Sequence, residues 1–353
     1  MTNAQMVDTP PRNLPDAGTS PPKRRRWLRL FLQALIVLAF LGWLALAVRF
    51  QLTGSLRVVV LVGIGVALLA LTRLWWAGRS RAVWGGTLAL MAVAAVWWSS
   101  IRPAETADWQ VPVQYGVTAE VDGNDVTLHN VRNFDWTSQD AFTPKWETRR
   151  YKLDQLTGVD LFSSVWGNPN IAHIMIGFGF ADGQHVVFSV ETRMRQGQVY
   201  APLAGFFKSY NLVLVAADER DIIRLRTDLR VDPPEVVSLF AVPAVGVQER
   251  RQAFVDFLNL GNRLEHQAEF YNTLTTNCTT VPWQLARSVG ASIPLSWKVL
   301  ASGRFPEYLH ELGLLAPDMP LDQILAKARL SALGPAGADG VAFSRRIRAM
   351  AGL

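Results

Sequence analysis

Three apolar stretches near the N-terminus decide what most of the first hundred residues can become. Leu30–Val48 is apolar apart from Gln33. Val58–Trp76 is broken only by Thr72 and Arg73 near its end, and Ala82–Trp98 only by Thr87. A helix needs about 20 residues to cross a bilayer, with a lower limit near 17. The first stretch meets that easily. The other two are short but flanked by Trp75, Trp76, Trp97 and Trp98, the residues that collect at membrane interfaces. A cleaved signal peptide has an apolar core of only ~7–15 residues and a small-residue cleavage site, and neither fits the first stretch. One buried helical hairpin in a soluble domain is the alternative for the second and third. Three crossings are the expectation, over 27–101.

Residues 1–102 carry twelve Lys and Arg against two acids, Asp8 and Asp16, for a net charge of +10. The rest of the chain has a net charge of −4. The basic character therefore belongs to the anchor, and the mildly acidic remainder argues against nucleic acid as a partner. The first 22 residues are polar and rich in Pro, Thr, Asp and Asn, and with Lys23–Arg26 they read as a disordered basic tail, 1–26. Lys23, Arg24, Arg25, Arg26 and Arg29 precede the first helix, and Arg73, Arg79 and Arg81 lie at the second turn. The opposite side has only Arg49, Arg57 and Arg102. The excess of positive charge puts the N-terminus in the cytoplasm of a bacterial inner membrane and residues 103–353 in the periplasm. The crossings contain no acid and no pair of broken helices, which weighs against a transporter.

The exported segment is long enough for one domain with a substantial core. Val117–Val121 and Val126–Val131 alternate around Asp122-Gly-Asn-Asp125, a hairpin signal. Ile171–Phe180 and His185–Arg193 flank a second turn, Ala181-Asp-Gly-Gln184. Leu212–Ala216 and Val236–Ala241 are further strands. Helices are expected over Asp154–Val165, Gln248–Leu260, Val281–Val289 and Leu321–Leu333, and Ile222–Leu229 fits either element. Strands followed by helices make an α+β domain. Gly177–Gly183 superficially suggests a phosphate-binding turn, but its spacing is wrong and a strand follows it.

Cys278 is the only cysteine. It sits where the polar run from Tyr271 meets the helix-like run from Val281. First-turn N–H groups lack internal partners and the helix dipole is positive there, so a thiolate is favoured. A buried structural thiol is the competing reading. A lone free thiol in an oxidising compartment calls for a chemical reason.

His173 stands in the apolar strand Ile171–Ile176. A neutral histidine bonded to backbone would explain it blandly. Hairpin arithmetic sharpens the case. With the turn centred between Asp182 and Gly183, position 173 faces 192, and a three-residue loop or bulge moves that to 191. Glu191 or Thr192 therefore lies beside His173, and Glu191 can accept the Nδ1–H bond that fixes the imidazole tautomer. His185, next to the turn, lies tens of ångströms along the strand at ~3.3 Å per residue, so a shared zinc site is not expected. No metal or other cofactor is expected. A thiol, a histidine and an acidic orienter are a nucleophilic set.

The order of histidine on a hairpin strand and Asn-Cys at a later helix start resembles circularly permuted papain-like enzymes, among them permuted NlpC/P60 and lecithin–retinol acyltransferase-like proteins. The whole exported segment resembles the Lnb N-terminal periplasmic domain family, a domain of uncertain function. The matching pieces are His129-Asn-Val-Arg-Asn-Phe134, Ile171-Ala-His173, Phe178-Gly-Phe180, Ser189-Val-Glu-Thr-Arg193, Asp218-Glu-Arg-Asp221 with Arg224 and Arg226, Tyr271-Asn-Thr, and Asn277-Cys-Thr-Thr280. The resemblance implies Cys278 as nucleophile, His173 as general base and Glu191 as orienter. Asn277 would supply a donor near the reacting carbonyl. Arg193 and Glu219-Arg220-Asp221 would form a buried ionic network or hold an anionic group, and Tyr271 would pack the loop under the thiol. The expected function is an anchored thiol hydrolase or acyltransferase acting on an envelope peptide, amide or acyl substrate. The alternative is a non-catalytic envelope binding or assembly module.

Overall fold

The computed structural model describes residues 23–288, 290, 293–334, 337 and 339–353, with the backbone alone for 23–26. The expected disordered residues 1–22 lie outside the described residues. The chain divides into two compact units between Ser100 and Ile101.

The first unit holds three helices, α1 (Lys23–Gln51), α2 (Gly54–Trp76) and α3 (Ser80–Ser100), each long and apolar enough to cross a membrane. α1 starts at Lys23, so the basic run belongs to the helix rather than to the tail. Large apolar side chains such as Leu35, Val59, Val62, Leu69, Val93 and Val96 point outward. Helices apolar on all sides suit a lipid environment. Gln33 is buried, and its amide exchanges two 3.0 Å bonds with the Ser80 carbonyl and hydroxyl. In hydrocarbon such a polar pair holds helices together because lipid offers it no partner.

The second unit is built on one sheet. Its strands are β1 (Thr118–Asp122) and β2 (Asp125–Arg132), then the small pair β3 (Asp135–Trp136) and β4 (Phe142–Thr143). There follow β5 (Trp146–Lys152), β6 (Leu156–Trp166), β7 (Ala172–Phe180), β8 (His185–Arg193) and β9 (Asn211–Ala217). Helix α4 (Glu219–Arg224) and one π turn, Leu225–Leu229, lead to β10 (Glu235–Ala241). Helices α5 (Val247–His266), α6 (Thr280–Ser288), α7 (Trp297–Leu300), α8 (Phe305–Glu311), α9 (Leu321–Ala328) and α10 (Gly340–Ala351) complete it. The main sheet runs β1-β2-β9-β8-β7-β6-β10 with β5 on β2, and β3 pairs with β4 apart from it. Its neighbours are antiparallel except β2 and β9, which meet in parallel at Arg132 and Ala217.

Alternation along the central strands builds two cores. Phe162, Met175 and Val215 face α4 and α10 through Ile222, Ile223, Phe343 and Ile347. Their neighbours Leu161 and Ile174 face the other way, against Trp283, Phe305, Tyr308 and Ile324. On that same side Phe254 and Phe257 of α5 pack edge-on against Phe178, with ring centroids 5.0 and 5.8 Å apart. Each fully buried phenylalanine contributes about 1.5–3 kcal/mol. α5 lies so close to the sheet that a Cβ at Gly261 would fall 2.6 Å from the Val117 carbonyl.

Two expected helices are corrected. Leu156–Trp166 is a central strand, paired with β7 and β10 along its length. Its pattern is that of a strand buried on both faces, which lacks clear alternation. The helix from Leu321 stops at Ala328, after which Arg329 bridges Ser238 and the Leu330 N–H donates to the Val237 carbonyl. Ile222–Leu229, open in the sequence, is helical. Strand β5 has no counterpart in the sequence reading.

Candidate functional site

The β7–β8 hairpin makes the site by coming apart. Its pairing runs from Gly179↔His185 to Met175↔Ser189. That register extends to His173 opposite Glu191, the three-residue-loop alternative, rather than Thr192. Pairing stops before those residues, so their side chains meet in a parted mouth. On the far side of β7, Ser164 pairs with His173 and keeps the strand in place.

Cys278 enters that mouth from the start of α6. Asn277 caps the helix. Its side-chain oxygen accepts from the Thr279 and Thr280 N–H groups at 2.9 Å, and the Asn277 N–H donates to the Thr280 hydroxyl at 2.9 Å. This is a reciprocal capping box. The Val281 N–H donates to the Asn277 carbonyl, which makes Cys278 the first residue inside the turn, at the positive end of the dipole. The sulfur lies 3.8 Å from the Ala172 carbonyl. It thus occupies an edge of β7 beyond the last residue paired to β8. Cys278 as a residue is partly exposed.

His173 lies near enough to the sulfur for the two groups to act on each other's ionisation. Its Nε2 lies 2.6 Å from the Ser189 hydroxyl and 3.1 Å from Glu191 Oε1. Ser189 in turn donates to Glu191 at 2.7 Å. A serine hydroxyl has one hydrogen, and Ser189 gives it to Glu191. The Ser189 oxygen must then accept from His173, which puts a hydrogen on Nε2 and leaves Nδ1 as the nitrogen that Ser189 and Glu191 do not engage. The sequence reading had Glu191 on Nδ1; the ring is turned the other way.

The charges reinforce one another. Burial opposes an imidazolium at His173, but the Glu191 and Cys278 anions outweigh it and raise the group to about 9. Burial likewise opposes ionisation of Cys278, and the His173 cation and its hydrogen bond override it, so the thiol is lowered. Glu191 is held well below the usual carboxylate range against its burial, by His173, then Arg226 and Ser189. Arg226 is itself buried, 3.4 Å from Glu191 and 3.7 Å from Glu235, and burial lowers it to about 10. A cation backed by two carboxylates keeps Glu191 ionised.

Tyr271 is buried beside this group. Burial and the neighbouring Cys278 charge push its phenol far up, and it bonds Tyr200. It therefore remains protonated next to the sulfur. Asn277 does not serve as a donor to a reacting carbonyl. Its amide nitrogen is spent on the Thr273 carbonyl at 2.7 Å, and its oxygen on the cap. Arg193 is elsewhere as well. It stacks 4.9 Å over Trp109 and donates to the Val113 and Gln114 carbonyls, fastening the start of the domain to β8.

The charged run after β9 is structural. Asp221 accepts from Arg132 twice at 2.9 Å, from the Phe134 N–H at 2.8 Å and from the Trp136 indole at 2.7 Å. Glu219 takes both Arg348 amino groups at 2.8 Å, and Arg220 donates to Asn133 and Asp135. Among the described residues no cluster of His, Cys, Asp and Glu has the makings of a metal site.

The sequence reading missed the roles of Ser189, Arg226 and Tyr200. Ser189 was reachable, since it lies two residues before Glu191 and so shares its face of β8. Arg226 and Tyr200 arrive from distant segments and carry no local signal.

Residues 142–303 match the family described as the Lnb N-terminal periplasmic domain. The match supports the Lnb part of the resemblance and gives no support to the papain-like part. No curated protein and no solved structure matches the chain. The chain thus combines three helices long and apolar enough to cross a membrane with a segment similar to the Lnb N-terminal periplasmic domain, a domain of uncertain function.

Proposed function

Taking that Lnb-type domain as the premise, we propose that it is a thiol hydrolase or acyltransferase with papain-like chemistry, acting on a peptide, amide or acyl substrate of the cell envelope. The observation that carries this is a partly exposed cysteine on the first turn of a helix, beside an imidazole whose Nε2 is held by Ser189 and Glu191. Nothing about a packing thiol requires those three groups in series.

In this reading the Cys278 thiolate attacks the substrate carbonyl carbon. His173 gives its Nδ1 proton to the departing amine or alcohol as the carbon–heteroatom bond breaks, leaving a thioester on Cys278. Water, or an amine or hydroxyl acceptor, then attacks the thioester carbonyl. His173 takes the incoming proton at Nδ1, and the thiolate leaves. Glu191 and Ser189 hold the ring and compensate its charge throughout.

An activated ester tests this directly. The full chain in detergent, mixed with p-nitrophenyl acetate, is expected to release one equivalent of nitrophenol in a burst. Its mass should rise by one acetyl group that hydroxylamine removes. Cys278→Ser should abolish both. A native parent chain that gains no acetyl group defeats the reading.

We also propose a cytoplasmic N-terminus and an exported second unit, from the positive charge gathered before α1 and between α2 and α3. Alkaline phosphatase fused after Gly78 is expected to be inactive, and after Gln110 active. The opposite pattern overturns the topology.

A further inference from the structure

The loops around the thiol expose several large apolar side chains together. Val199 is 81% exposed and Leu203 and Leu274 are 48% exposed, with Tyr200 and Phe206 also outward. They belong to one local structure. The Thr273 hydroxyl donates to the Pro202 carbonyl at 2.9 Å, and Gly205 packs against Tyr271 and Thr273. Tyr200 stacks on Tyr210 and bonds Tyr271. The turn 199–207 and the loop 271–276 thus form a single apolar rim beside Cys278. Contiguous apolar patches of this kind mark contact surfaces.

The same end of the domain is where the chain arrives from the membrane. Ile101 directly follows Ser100, the last residue of α3. Lys208, next to the rim, donates to the Ile101 carbonyl at 3.4 Å. Asn211 clasps Ala104 from both sides, accepting from its N–H at 3.3 Å and donating to its carbonyl at 2.6 Å. Four extended residues reach at most ~14 Å, so covalent connection alone keeps this end close to a bilayer surface. Arg102 and Lys208 add positive charge that suits anionic headgroups.

We propose that the rim formed by Val199, Tyr200, Leu203, Phe206 and Leu274 seats on the surface of the bilayer that anchors the chain. Apolar side chains enter the headgroup boundary, with tyrosine at the interface, where its amphipathic ring is favoured. The proposal stands on exposure and connection and does not need the thiol to be catalytic.

Environment-sensitive labels test it on the full chain. In a Cys278→Ser background, Leu203→Cys, Val199→Cys and Leu274→Cys would each carry a fluorophore, with Leu325→Cys, exposed on α9, as the control. The chains are reconstituted in vesicles of phosphatidylethanolamine and phosphatidylglycerol with and without a lipid bearing a shallow acyl-chain quencher. The three rim labels are expected to shift to the blue and lose emission to the quencher, while the Leu325 label does neither. Rim labels that match the Leu325 label overturn the proposal. A blue shift that ignores the lipid quencher and grows with protein concentration also overturns it, because it assigns the rim to a second copy of the chain. Variants are compared only where circular dichroism shows the parent's strand and helix content, which these outward positions should preserve.

Discussion

Replacing His173 by Ala slows alkylation of Cys278 at pH 6 by about ten-fold or more. An ordinary thiol near ~8.5 is under ~1% thiolate at that pH. The parent thiol is lowered chiefly by the His173 cation acting against burial. A less stabilised thiolate is individually a better nucleophile, which recovers part of the lost rate, so the net effect is smaller than the loss of thiolate. The same compensation makes the two rate profiles converge or cross at high pH. The measurement is the iodoacetamide labelling rate of the full chain from pH 4 to pH 10. The parent should reach its plateau at a lower pH than the His173→Ala chain, because the His173 cation lowers the thiol against its burial, and should hold it to about 9, where His173 gives up its proton. The signs of the stability linkage agree. His173 lies above its ordinary 6.5, so its contribution is complete below that value and is lost as pH rises through about 9. Glu191 lies below its ordinary 4.5, so its contribution is complete above that value and disappears as pH falls through the folded one. A Cys278 profile that ignores the His173 change, or labelling that waits for denaturant, defeats the thiol-enzyme reading.

Asp221→Ala is expected to destabilise the domain by about 3–5 kcal/mol, because it strands a buried cation. Asp221 is fully buried and its two oxygens take four donors, two of them from Arg132, which is itself buried. The loss reaches three places. The guanidinium keeps its charge without its partner, and the Phe134 N–H and the Trp136 indole lose their acceptor. A loss of this size lowers the Tm of a domain this large by roughly 10 °C. Thermal melts followed by circular dichroism measure it. The double change Asp221→Leu with Arg132→Met, which removes both charges, should recover part of the loss. An Asp221→Ala melt that matches the parent would show that the network contributes little.

The parts of this architecture that were legible in the sequence are those governed by short-range rules. The turn at Ala181–Gln184 located the hairpin, and counting outward from it brought Glu191 or Thr192 to His173; the register of the pairing selects Glu191. The Asn-Cys-Thr-Thr run announced a helix start, and the capping box supplies the reason. What escaped depended on distant chain. β6 shows no alternation because helices cover both faces of the sheet, so its pattern passed for a helix. Asn277 carried the right donor for an oxyanion, but the cap and Thr273 use it up, and no sequence window reveals that competition. Arg226 reaches Glu191 only because the chain turns back from β9 through α4 and the π turn beneath β8.

The parted mouth of the β7–β8 hairpin has a consequence for the life of the chain. The groups that lower the Cys278 thiol come from two strands and a helix far apart in sequence, and an unfolded polypeptide brings none of them together. Before the domain folds, Cys278 is an ordinary, largely protonated thiol. If Cys278 is the nucleophile proposed above, the chain therefore carries it unarmed until the domain folds, and arming coincides with strand register. Because a slip of one residue turns every side chain of a strand to its other face, a misregistered β8 would leave His173 without Glu191 and the sulfur quiet. Reactivity of this one atom is thus a local report on whether the sheet has assembled correctly.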